Sequence, residues 1–183
     1  MFLAIQEGNN IIYAANTMQE IINKMKECYV TDYAVVETSD NYIFYRGKYI
    51  TEEEAITQIR IDKHSKNDYL ANKTLPQTFT IQVGTDKTPC QFIYNEKTER
   101  NLNSSALGFI TKQYETKDWT DEQGITVQLT AEDVATILLT FNTFANGVWA
   151  KWGEYKQQIE NAQTIEEINN INLDYTKFNN TQT

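Results

Sequence analysis

A chain of 183 residues, 40% hydrophobic and 12% aromatic, is long enough for one domain or two small ones with a true core. A net charge of -9 and a pI near 4.7 speak against nucleic acid and against an anionic membrane surface, both of which select basic patches. No apolar run approaches the roughly 18 residues of a membrane span, and the opening MFLAIQEGNN lacks the basic flank and apolar stretch of a signal peptide. Two cysteines without a CxxC pair argue against a disulfide framework and a zinc site, and point to synthesis in a reducing cytoplasm.

In chain order, Phe2–Ile5 and Ile11–Ala14 read as a hairpin around the turn residues Glu7-Gly8-Asn9-Asn10. Asn16 or Thr17 caps a helix with Met18, Ile21, Ile22 and Met25 at helical spacing, and Cys28 closes its apolar face. Strands follow at Tyr33–Glu37, Tyr42–Tyr45 and, past a tight turn at Gly47, Lys48–Ile50. Five short strands and one helix sharing a buried face make residues 1–50 a small α+β unit. Thr51 with Glu54 forms a capping box and opens a polar helix, running to about Leu70, that reads as a connector over 51–76.

The second half opens on two alternating strands, Phe79-Ile81-Val83 and Cys90-Phe92-Tyr94. A helix is expected from about Thr98 to Glu115, then Trp119 in a polar loop and a short strand at Ile125–Leu129. Thr130 and Asp133 open a long helix to about Ala162. Its apolar positions Val134, Leu138, Phe141, Ala145, Val148, Trp152, Tyr155, Ile159 and Ala162 step by 4 and 3 in alternation, a heptad ladder. Gly147 and Gly153 interrupt it at a cost of about 1 kcal/mol each. Thr164 with Glu167 is another capping box, before a last short helix. Residues 174–183 read as a frayed tail. The fold class is therefore α+β: an N-terminal antiparallel sheet with one helix, then a β-hairpin and a helical C-terminal half with one long helix.

Chemical candidates have plain structural readings. His64, the single histidine, sits in a polar stretch with no nucleophile setting and reads as a solvated helix residue. Cys28 and Cys90 read as buried small hydrophobes. Glu52-Glu53-Glu54 suits a helix N-terminus. Asp118, Asp121 and Glu122 flank Trp119 without the alternating ligand pattern of a calcium loop. Tyr42, Tyr45 and Tyr49 crowd one hairpin, where strands favour tyrosine in any case. No P-loop or GxGxxG occurs. No catalytic residue, metal ligand or cofactor is expected.

The helix at 102–113 is the natural antiparallel neighbour of the long helix but about half its length. The stripe from Val148 to Ala162 is then left without an intrachain partner. Val148, Trp149, Trp152, Tyr155 and Ile159 are accordingly expected to form an association surface, for a second copy or another protein. The competing expectation is packing against the N-terminal unit.

Residues from about Phe79 to Leu173 resemble an uncharacterised phage domain family found on small proteins encoded beside tail-fibre genes. The resemblance lies in the hairpin with Phe92, the helix Leu102 to Tyr114, Trp119 before a Gly-containing turn, and Ile125-Thr126-Val127-Gln128-Leu129-Thr130. It continues in the helix start L-T-x-x-D-V and the closing I-x-x-A-x-T-x-E-E-I over Ile159 to Ile168. These are patterns of caps and packing. The resemblance implies a non-catalytic tail or tail-fibre accessory or assembly protein, structural or chaperone-like, with a tail component or itself as protein partner. It would work in the host cytoplasm during assembly or within the virion tail. The domains would be 1–50, the 51–76 connector, and 77–173. The alternative, from charge and size, is an acidic phage-encoded inhibitor of a host defence system or enzyme.

Overall fold

A computed structural model describes residues 1–6 and 10–179; the expected turn at Glu7, Gly8 and Asn9 and the tail at 180–183 lie outside them. No helix among the described residues is long and apolar enough to cross a membrane. The fold is α+β, with an N-terminal antiparallel sheet and a long C-terminal helix. It divides into two compact units. The first is Met1–Lys63 with Asn161–Asn170, and the second is His64–Glu160 with Ile171 onward.

In the first unit, β1 (Phe2–Gln6) lies between β2 (Asn10–Ala15) and β3 (Ala34–Glu37), antiparallel to both. Helix α1 (Met18–Glu27) starts at Thr17, whose hydroxyl accepts from the Glu20 amide while the Glu20 carboxylate accepts from the Thr17 amide. Its Ile21 and Met25, one turn apart, bury against Ala4 and its neighbours on the sheet. The five strands form two sheets rather than one. β4 (Tyr42–Tyr45) and β5 (Lys48–Thr51) pair only with each other, across a two-residue turn with Arg46 and Gly47 both at positive φ. That is the mirror-image turn whose twist suits a hairpin. The hairpin tyrosines are structural: Tyr45 donates to Asp62 (2.7 Å), and Tyr49 packs on Tyr13 and Phe44.

The connector expected at 51–76 is not separate from the units. Helix α2 (Glu52–Thr74) is capped by Thr51 and Glu54 as read, but the division falls within it, at Lys63/His64. Its first half holds residues 161–170 in the first unit: Arg60 donates to the Ala162 carbonyl (2.8 Å) and Lys63 to that of Asn169 (3.2 Å). Residues 161–170 therefore leave the block expected at 77–173. They include α5 (Ile165–Asn170), started by the Thr164–Glu167 box, with Ile168 buried.

In the second unit, β6 (Gln77–Val83) and β7 (Thr88–Tyr94) pair in register from Gln77↔Tyr94 to Val83↔Thr88. Helix α3 (Glu96–Ile110) starts at Asn95, earlier than expected, because the Asn95 side chain accepts from the Thr98 amide. β8 (Lys117–Thr120) gives the supposed Trp119 loop a strand partner in β9 (Thr126–Leu129). Helix α4 (Ala131–Asn161) is close to the expected span, begun by the Thr130–Asp133 box.

Two cores line α4. Val134, Ile137 and Phe141 pack with Phe79, Val83, Cys90, Phe92, Leu102, Val127 and Leu129. Phe141 meets the rings of Phe79 and Tyr94 at 5.6 and 5.2 Å. Two turns on, Val148 and Tyr155 pack with Ala71 and Tyr175, flanked by Leu70, Leu75, Leu173 and Phe178. Phe144 belongs to the edge of both clusters.

Candidate functional site

The expected association stripe is mostly interior. Val148 and Ile159 are fully buried and Tyr155 nearly so. This corrects the expectation of a five-residue surface. The heptad ladder of α4 has intrachain partners: the second half of α2 and the segment 171–178 cover Val148 and Tyr155, which α3 was too short to do. Trp152 is half-buried, and its Nε1 donates to Asp68 (2.7 Å). Trp149 alone stays exposed, edge-on to Trp152.

Behind the stripe lies a polar node with no sequence precursor. Asn67 is fully buried; its amide donates to the Trp152 carbonyl (3.1 Å) and its carbonyl accepts from the Tyr175 hydroxyl (2.6 Å). Burial, with Tyr155 and Asp68 nearby, pushes the Tyr175 phenol up to about 12, so it stays a donor. The Tyr155 hydroxyl donates to the Asp174 carbonyl and accepts from its amide. Residues 174–179 are thus tied down, against the frayed tail expected there. Phe178 packs by the ring of Phe144 and over Gly147.

The three reactive groups differ in their settings. Cys28 is exposed, not buried: it is the C-cap of α1, past the last turn that faces the sheet. Cys90 is buried as expected, and burial beside the Asp121 carboxylate pushes its thiol up to about 11. His64 Nε2 lies 3.0 Å from Glu160 Oε1 but outside hydrogen-bond alignment, and its side chain is only partly exposed rather than solvated. No cluster of three or more His, Cys, Asp or Glu suited to a metal occurs among the described residues.

Asp121 was read as one acid beside Trp119, and it is the pin of the β8–β9 hairpin. One oxygen accepts from the amides of Gln123 and Ile125 (2.9 Å each). The other accepts from the Gln91 amide (3.1 Å) and the Cys90 thiol (3.6 Å), fastening the turn to β7. Those donors, the Gln91 amide first, hold its carboxyl below the ordinary range. The Asp-x-x-Gly spacing of Asp121 and Gly124 was the available signal for a turn of this kind.

Beside this pin is a cleft of about 660 Å³. β7 contributes Gln91, Phe92 and Ile93; α3 contributes Thr98, Asn101 and Ser105; β8 and its turn contribute every residue from Lys117 to Glu122. Tyr114 also lines it, its hydroxyl donating to the Ser105 carbonyl (3.1 Å). It fits because Gly108 has no side chain; a Cβ there would lie 2.2 Å from the Tyr114 oxygen. The indole of Trp119 packs on Phe92, ring centres 5.7 Å apart. Amides and hydroxyls dominate the walls, so the cleft offers hydrogen bonds, with the half-buried rings of Trp119 and Tyr114 as its aromatic surface. Sequence reading missed it because α3, β7 and β8 meet there only through the tertiary fold.

No curated protein and no solved structure matches the chain. Residues 62–176 match one family model, described as a domain of unknown function (DUF4376). The match begins within α2, two residues before the second unit, and extends through the Tyr175 anchor. It covers well over half of the chain, and the protein therefore belongs to that family.

Proposed function

We propose that this is a non-catalytic phage protein, a tail or tail-fibre accessory or assembly factor that acts through protein–protein contacts. The observation that carries the non-catalytic part is the commitment of Cys90 and Asp121, the reactive pair beside the cleft, to the fold. Cys90 is held as a thiol, and both Asp121 oxygens are engaged by four donors. A nucleophile needs a lowered pKa or an adjacent base, and Cys90 has the opposite setting. The phage assignment is supported by the resemblance of residues 79–173 to proteins encoded beside tail-fibre genes.

The reading is tested by deleting the gene from the phage and imaging the progeny by negative-stain electron microscopy. Particles with missing or malformed tail fibres, restored by the gene supplied in trans, are expected. Normal particles that fail only in hosts carrying a defence system would replace this reading with the inhibitor alternative.

A further inference from the structure

The cleft of the second unit borders a strand edge. The Asp121 amide donates to the Ile125 carbonyl (3.0 Å), which sets the phase of the β8–β9 ladder. Lys117 and Trp119 turn their backbone groups to β9, while Asp118 and Thr120 turn theirs the other way. The close approach of the Thr120 and Thr126 hydroxyls (2.8 Å) agrees, since side chains come nearest at pairs that are not hydrogen-bonded. Among the described residues no strand pairs with that outer edge of β8.

The lining fits an edge. A cleft over the face of a strand meets alternate residues, but this one meets Lys117 through Glu122 without a gap. Across from it, Thr98, Asn101 and Ser105 stand at helical spacing on one side of α3. A strand on one side and a helix on the other leave a groove for one extended chain.

We infer that the cleft takes an extended, uncharged segment of a partner protein, added as a strand to the outer edge of β8. The backbone of Asp118 and Thr120 supplies the pairing, and the half-buried Trp119 receives one apolar side chain. The α3 amides and hydroxyls favour a neutral polar segment. Of the lining charges, Lys97 and Lys117 stand against Asp118 and Glu122, while Asp121 has both oxygens engaged by its own four donors, so neither sign is selected. The inference rests on the reading of the chain as a protein-binding factor and names what it binds.

The test selects binders to the full chain from a random-peptide display library and measures the best peptide against three variants. Thr120→Pro removes the outward amide but no β8–β9 bond, as proline is tolerated at an open edge. Thr120→Val and Thr126→Val each remove the hydroxyl pair and keep the edge. Binding is expected to survive both valine changes and to weaken by about tenfold or more in Thr120→Pro with an unchanged circular dichroism spectrum. If Thr120→Pro does not fold, amide exchange in the wild-type chain decides. Slowed exchange at Asp118 and Thr120 on peptide addition supports strand addition, and unchanged exchange there overturns it. Unweakened binding by a folded Thr120→Pro overturns it too, as does a library yielding no peptide, including where a neutral oligosaccharide array labels the cleft instead. Such a failure alongside capture of a tail component from infected cells removes the groove and leaves the proposed function standing.

Discussion

At the scale of single residues, the most consequential side chain is Asp121. Four donors converge on one carboxylate, and they join a turn to a strand 30 residues away. An amide in its place keeps the shape but loses the charge and meets N–H donors with its own NH2 group. Asp121→Asn should therefore lower the melting temperature at neutral pH. The sign of the pH dependence follows from the depressed native pKa. The stabilisation is complete above the ordinary aspartate value of 3.8 and is lost as pH falls through the lower native value. The wild-type and variant melting curves should thus converge below about pH 4. A gap that stays constant into acid would mean that the Asp121 charge contributes nothing. This role could be read only in part from sequence. The turn signal is local, whereas the Gln91 amide and Cys90 thiol arrive through tertiary structure.

At the scale of elements, capping boxes were the most legible feature, because both partners sit within four residues. Thr51 with Glu54, Thr130 with Asp133 and Thr164 with Glu167 all form as their spacing predicts. The length of α4 was legible for a related reason, its apolar ladder being unbroken. What covers that ladder was not. The buried side of α2 in the second unit is Asn67, Ala71 and Thr74, small or polar residues that give no hydropathy period. The covering segment 171–178 sits in an Asn- and Thr-rich stretch where Tyr175 and Phe178 were the sole hints. The two glycines of α4 now separate. Gly153 has nothing within 4 Å of where a Cβ would stand, but at Gly147 the Phe178 ring is 3.0 Å away. Gly153→Ala should stabilise by up to about 1 kcal/mol through helix propensity alone. Gly147→Ala should gain less or lose stability, because the Phe178 ring must shift. Denaturant melts of the two variants check this, and equal gains would show that Phe178 does not pack on the helix.

At the scale of the whole molecule, the α+β class followed from the order of elements, but the division of the chain did not. A polar helix between two patterned halves reads as a linker, yet α2 carries buried residues on both sides of Lys63/His64: Ala55 in the first unit, Asn67 and Ala71 in the second. The same burial removes most of the surface expected on α4, and attention moves to the cleft of β8 and α3 and to the exposed Trp149. On the proposed function, the molecule works by holding another phage protein. The most direct measurement is affinity capture of the tagged full-length chain from infected cells, with quantitative mass spectrometry of what it retains. A tail or tail-fibre polypeptide in near-stoichiometric amount is the predicted result. A host enzyme or defence protein in its place, or no retained protein at all, would contradict the account.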